Sequence, residues 1–307
     1  MDVIETEGLT KRYGSTLAVD GLDLRVREGE IFGFLGPNGS GKTTTIGMLL
    51  GILTPTAGRY RLFGREDRSG LLAARQRIGA TLEQPNFYPY LSGRTNLGLV
   101  ARVKGVGGDA VERSLARVGL SGRADDEYDG YSLGMKQRLA LAGTLLGDPD
   151  LLILDEPTNG LDPEGMREIR RVIRRLGETG TTIFLSSHLL WEVERVCTRV
   201  AILRQGRVVV RSPVDELTAG AARVGVSAGD LDRLEEALTD YPSARIEGRE
   251  GRVLIVELED EDPAALTRHL SEAGIHLSRL EPRRRSLEDV FLEATDASGE
   301  PGMEEVA

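Results

Sequence analysis

Gly36-Pro37-Asn38-Gly39-Ser40-Gly41-Lys42-Thr43 follows the order glycine, four residues, glycine, lysine, threonine. No other feature constrains the chain as tightly. Glycines let backbone N–H groups turn inward and cradle phosphate oxygens, and the N-terminus of a following helix adds partial positive charge. Lys42 brings a mobile cation to those oxygens, and the Thr43 hydroxyl can hold Mg2+. Residues 31–35 read as an apolar strand and 42–50 as a helix, which is the context the motif requires. Of the 39 basic residues only Lys11, Lys42, Lys104 and Lys136 are lysines, so a motif that demands one has few places to arise by accident.

Leu151-Leu152-Ile153-Leu154-Asp155-Glu156 ends an apolar strand in two carboxylates. At the carboxyl end of a parallel sheet, where ligands bind, Asp155 suits a Mg2+ ion and its water shell, and Glu156 suits the activation of a water. Solvated acids at a strand exit are the ordinary alternative. The upstream phosphate loop weighs against it.

Around these motifs the pattern predicts an antiparallel start over residues 3–27, with Leu22, Leu24 and Val26 alternating, then buried strands at 78–82, 151–154 and 182–185. Residues 92–147 carry helical spacings and no strand signal. The expected fold is therefore α/β: a mostly parallel sheet with an antiparallel β subdomain and an inserted helical subdomain over about 85–147. Beyond residue 219 short strands at 253–258 and 275–280 alternate with helices at 231–238 and 263–273, a small α+β domain over 220–296. Residues 297–307 read as a disordered tail.

With these motifs assembled, the chain resembles the ATPase subunits of ATP-binding cassette transporters over about residues 1–219. The resemblance implies a P-loop NTPase cassette in which Gly36, Pro37, Asn38, Gly39, Ser40, Gly41, Lys42, Thr43 and Thr44 bind ATP and Tyr13 stacks on adenine. It also implies that Thr43, Asp155 and Gln84 attend Mg2+. Glu156, Lys42, His188 and Gln84 are the implied catalytic set, with His188 contacting the γ-phosphate. Tyr131-Ser132-Leu133-Gly134-Met135 sits where the family signature Leu-Ser-Gly-Gly-Gln belongs, and departs from it at Leu133 and Met135. Ser132 and Gly134 remain, to grip ATP held by a second subunit, and Ser132 also suits a helix N-cap. Asn159-Gly160-Leu161-Asp162 resembles the loop linking the two composite sites, and Asp162 before Pro163 equally suits an N-cap. The region containing Arg283-Arg284-Arg285 and the following Ser286–Leu292 is similar to the domain appended to drug-resistance exporter ATPases.

The implied role is an ATP-hydrolysing homodimer that powers a separately encoded membrane permease for a drug, antibiotic or other small molecule. It would work in the cytoplasm at the inner face of the cell membrane. A single cysteine, Cys197, and three histidines exclude an internal disulfide and disfavour structural zinc. No apolar run approaches the ~18 residues of a membrane span. One rival is a cassette ATPase of DNA repair or translation. Only 47 residues separate Gln84 from Ser132, too few for a long coiled-coil insertion, and there is one phosphate loop. The other rival, a non-hydrolysing nucleotide switch, is disfavoured by Glu156.

The net charge of −10 first argues against a nucleic-acid partner. It is unevenly placed: residues 1–219 hold 29 basic and 28 acidic residues, residues 220–307 hold 10 and 21. For the cassette, the expectation of no nucleic acid rests on motif order.

Overall fold

In the computed structural model β1 (Asp2–Tyr13) and β2 (Thr16–Arg27) pair antiparallel. The alternation of β2 explains its placement: Leu22, Leu24 and Val26 are buried while Asp23, Arg25 and Arg27 face water. The structure describes residues 1–82, 86–219, 222–259, 262–283 and 285–296. Gln84, Arg284 and the expected tail at 297–307 lie outside them.

Next come β3 (Ile31–Leu35), α1 (Lys42–Leu49), β4 (Ala57–Leu62), α2 (Arg68–Arg75) and β5 (Ile78–Thr81). β4 joins β1 to complete a three-stranded antiparallel sheet. Three helices follow without an intervening strand: α3 (Gly93–Lys104), α4 (Gly108–Arg117) and α5 (Leu133–Leu145). Ser92 caps α3 by accepting from Thr95 N. Buried Asn96 then ties the preceding loop to that helix, accepting from Tyr88 N at 2.9 Å and donating to Tyr88 O at 3.0 Å.

The chain returns through β6 (Leu151–Asp155), α6 (Pro163–Glu178), β7 (Thr182–Ser187), α7 (Leu190–Glu194), β8 (Arg199–Arg204) and β9 (Arg207–Pro213). These complete a six-stranded sheet in the order β5-β6-β7-β3-β8-β9, parallel except for β9. Every residue of β3, β6 and β7 is buried, the composition a sheet covered on both faces demands. Phe184 stacks on Phe32 at 5.8 Å and meets Phe34 at 5.1 Å, locking β7 beside β3. Each such ring, fully buried, contributes about 1.5–3 kcal/mol. Gly33 is required by close packing, since a Cβ there would stand 2.5 Å from Val193 Cγ1 on α7. Asp162 caps α6 by accepting from Gly165 N at 2.8 Å, with Pro163 at the first helical position.

A second unit begins at Val214, where the contacts of the chain divide. That is six residues before the boundary expected after residue 219. The short helix α8 (Val214–Thr218) belongs to the second unit because Val214 is buried and α8 packs on its last helix. The unit continues as β10 (Ala222–Ala228), α9 (Leu231–Thr239), β11 (Ala244–Glu250), β12 (Val253–Leu258), α10 (Pro263–Glu272), β13 (Leu277–Arg283) and α11 (Leu287–Asp296). Its antiparallel sheet runs β11-β12-β10-β13, a split β-α-β topology. Val224, Val226, Leu254 and Val256 share one apolar core with Leu234, Leu238, Leu266 and Leu270 of α9 and α10. Among the described residues no helix is long and apolar enough to cross a membrane.

Candidate nucleotide and hydrolytic site

Because β3, β7 and β6 are adjacent and parallel, their C-terminal ends open side by side. β3 leads into the glycine loop. The crest, Pro37, Asn38 and Gly39, is exposed, while Gly36, Ser40, Gly41 and Lys42 are buried beneath it. Gly41 has φ +106°, and a Cβ there would lie 2.5 Å from Ala18 O, so only glycine fits. Lys42, 6% exposed, folds under the loop and donates to Gly36 O at 2.7 Å and Pro37 O at 3.2 Å. Ser40 Oγ is buried without a hydrogen-bond partner. Thr43 is exposed at the helix start and Thr44 half-buried.

From β6, Asp155 meets that helix: Thr43 Oγ1 donates to its Oδ2 at 3.1 Å, and Ser186 Oγ on β7 donates to its Oδ1. Ser186 also receives the Glu156 N–H, on Oγ at 3.1 Å and on its carbonyl at 3.2 Å. Glu156 itself has φ +47°, a left-handed backbone that costs a non-glycine residue about 1 kcal/mol or more and directs the carboxylate away from the strand path. Its Oε1 lies 3.3 Å from Lys42 Nζ and its Oε2 2.8 Å from His188 Nδ1. A carboxylate only accepts, so Nδ1 carries the proton of that bond.

Five side chains from three separate stretches, Lys42, Thr43, Asp155, Glu156 and His188, thus form one linked cluster at the strand ends. Such an arrangement can hold phosphate oxygens, a divalent cation and a water-directed carboxylate within one pocket.

Residues 19–159 match the family model described as ABC transporter. Along almost its whole length the chain is similar to the bacitracin transport ATP-binding protein BcrA of Enterococcus faecalis, at 36% identity over 97% of both chains. The chain belongs to the ABC transporter ATP-binding proteins. It is also 36% identical to the daunorubicin resistance ATP-binding protein DrrA3 of Streptomyces coeruleorubidus, over 95% of each chain. Among solved structures it resembles a dimeric ATP-binding cassette in a post-hydrolysis state bound to ADP and Pi. That match has a TM-score of 0.61 and 25% identity, covering 69% of this chain and 98% of the other. This ABC protein therefore binds ATP and is an ATPase, and a repair or translation role is not favoured.

Other residues singled out in the sequence lie elsewhere on this ABC subunit. Tyr13 ends β1, 46% exposed, with Lys11 Nζ 5.1 Å from its ring centroid. Ser132 caps α5, accepting from Met135 N at 3.2 Å. Gly134 lies over the start of α6, where a Cβ would come 3.4 Å from Gly165 Cα. Among the described residues no hydrogen bond or ion pair joins Tyr13, Ser132 or Gly134 to the cluster. No sequence motif points to Ser186, although it holds both Asp155 and Glu156. Its only signal is a pair of hydroxyl residues, Ser186-Ser187, closing an otherwise apolar strand.

Proposed function

We propose that this ATPase drives export of a drug, antibiotic or other small molecule. It would act as a homodimer on a separately encoded integral membrane permease, at the inner face of the cell membrane. The observation that carries this reading is similarity to two drug-associated ATP-binding proteins over at least 95% of the chain, the second unit included.

Lys42 donates to the phosphate oxygens, exchanging its carbonyl partners for them. Thr43 and Asp155, already 3.1 Å apart, supply two oxygens suited to Mg2+. A Mg2+ ion held by these two residues would supply charge neutralisation to the bound phosphates. Glu156 takes the proton of the attacking water as the water oxygen bonds to the γ-phosphorus and ADP departs. His188 holds Oε2 of Glu156 in place through Nδ1–H, and with a second proton on its other ring nitrogen it would donate that N–H to the γ-phosphate. Tyr13 stacks on adenine. Ser132 and Gly134 of the partner subunit close the site, where the N-terminus of α5 offers N–H groups and a favourable dipole.

The test is to isolate the full chain from solubilised membranes, identify the integral protein that comes with it, and reconstitute both in vesicles. Bacitracin and daunorubicin then serve as probes. ATP-dependent movement of either probe, lost in Glu156→Gln, is the expected result. Turnover with no integral partner and no transport would sink the proposal.

A further inference from the structure

Directly behind the hydrolytic cluster lies a buried polar contact that the chemistry above does not use. Glu192, on α7 four residues after His188, is 4% exposed, and its Oε2 accepts from Thr158 Oγ1. Thr158, 5% exposed, lies two residues after Glu156, in the segment leading to the Asp162 cap of α6. The second oxygen, Oε1, has no hydrogen-bond partner and faces Arg170 Nε of α6 at 3.8 Å. One carboxylate therefore bears on three pieces of chain: the strand exit carrying Glu156, the helix following His188, and α6.

We infer that Glu192 is a positioning residue that sets the spacing of Glu156 and His188 through its hydrogen bond to Thr158. The inference rests on the reading of Glu156 and His188 as the hydrolytic pair.

Neither residue of that pair is fixed in place by its own strand. Glu156 has left β6 at a positive φ, and His188 follows the last residue of β7. Both stretches run on into the Glu192–Thr158 contact, so the 2.8 Å bond between Glu156 and His188 is closed from behind by a second bond. Displacements of about 1 Å at a reacting group can cost a hundredfold in rate, so such bracing has catalytic leverage.

The surroundings make the brace hard to replace. Pro157, Ile173, Leu185, Val193 and Val196 wall the remaining space, whose volume is 10 Å³. That is about the least a water needs. Besides Thr158 and Glu192 themselves, Arg170 and Ser187 are the polar residues lining it, so a Thr158 or Glu192 that lost its partner would have only those two nearby to replace it. Burial, with the repulsion of Arg195, Arg174 and Arg167, pulls the Arg170 guanidinium below its usual pKa, and the Glu192 charge is what opposes that shift.

Steady-state phosphate release and ATP affinity are measured on the full chain for Thr158→Val, Thr158→Ser, Glu192→Gln and the Thr158→Val/Glu192→Gln double variant. Melting temperature is followed throughout. Thr158→Val, close to isosteric, is expected to lower kcat at least tenfold while ATP Kd stays within twofold, because no residue of the glycine loop is touched. Thr158→Ser restores the donor and is expected to recover most of kcat. A double variant no slower than the worse single variant would place both changes on one interaction.

Wild-type kcat in a folded Thr158→Val overturns the inference. So does a loss that Thr158→Ser fails to recover, or one that scales kcat and Kd together with the fall in melting temperature. Glu156→Gln and His188→Ala are run alongside. Should they turn over normally, the hydrolytic pair itself is misassigned and the inference falls with it. Should they stall while Thr158→Val does not, the brace alone is wrong.

Discussion

Lys42 and Glu156 face each other across the site, Nζ to Oε1 at 3.3 Å, although they lie 114 positions apart in sequence. The side chains are 6% and 19% exposed, so the pair is poorly screened by solvent. Glu156 thus has a partner on each oxygen, the Lys42 ammonium on Oε1 and the His188 ring on Oε2. In the proposed mechanism, phosphate oxygens that draw Lys42 away would release one side of the carboxylate and leave His188 to orient it.

Glu156→Gln keeps the size of the side chain and loses its basicity. Phosphate release is expected to fall by about 10²–10⁴, the usual contribution of a general base. ATP binding should persist, and a nucleotide-loaded dimer should accumulate, visible by size-exclusion chromatography with ATP and Mg2+.

For Lys42→Arg the expectation is loss of ATP affinity comparable to Lys42→Ala, despite the retained charge. The ammonium is buried under the loop and donates to two carbonyls from a compact position that a planar guanidinium cannot copy. Titration with a fluorescent ATP analogue checks this. Near-normal affinity in the arginine variant would count against the site geometry.

Asp155 accepts one hydroxyl on each oxygen, from Thr43 and Ser186. Asp155→Asn leaves a similar shape with no charge for a divalent cation, so the Mg2+ concentration for half-maximal turnover should rise at least tenfold. EDTA should abolish turnover of the wild type and leave its fold intact, as read by circular dichroism.

Gly41→Ala tests the loop through stability. A Cβ there meets Ala18 O at 2.5 Å on a backbone with φ +106°. Strain of this kind costs on the order of 2 kcal/mol. For a unit of this size that lowers Tm by about 4–8 °C.

Ser132 caps α5, and the ATP contact proposed for it across the dimer is separable from that cap by substitution. Ser132→Ala removes the cap on α5 and should cost about 1 kcal/mol. Ser132→Asp restores a good cap but sets a carboxylate toward the phosphate of a partner subunit. Its Tm should match the wild type while ATP-driven dimerisation is lost, measured by light scattering.

Local chemistry made most of the site legible. The glycine loop, the paired acids after Leu154 and the Asp162-Pro163 cap each declare themselves within eight residues, because backbone conformation and side-chain type there depend on near neighbours. The continuous apolar runs of β3, β6 and β7 likewise follow from burial on both faces. β11 carries no clear strand pattern in the sequence, since its residues are exposed or half-buried and its hydrophobic alternation is weak. The texture of the sequence changes after Pro213, and what places 214–218 in the second unit rather than the first is the packing of α8 on α11.

What the sequence alone determined was the set of chemical groups and their order along the chain: a phosphate loop, a pair of acids, a histidine and a cap. Tertiary structure alone decided which of them meet. Ser186 bonds Asp155 across 31 positions and Glu192 bonds Thr158 across 34. The serine hydroxyl stands at the end of a buried strand, and the glutamate lies on the short helix that follows. Such pairings arise where parallel strands and the helices over them bring distant segments together, and a linear pattern carries no signal of them because each residue alone would suit solvent equally well.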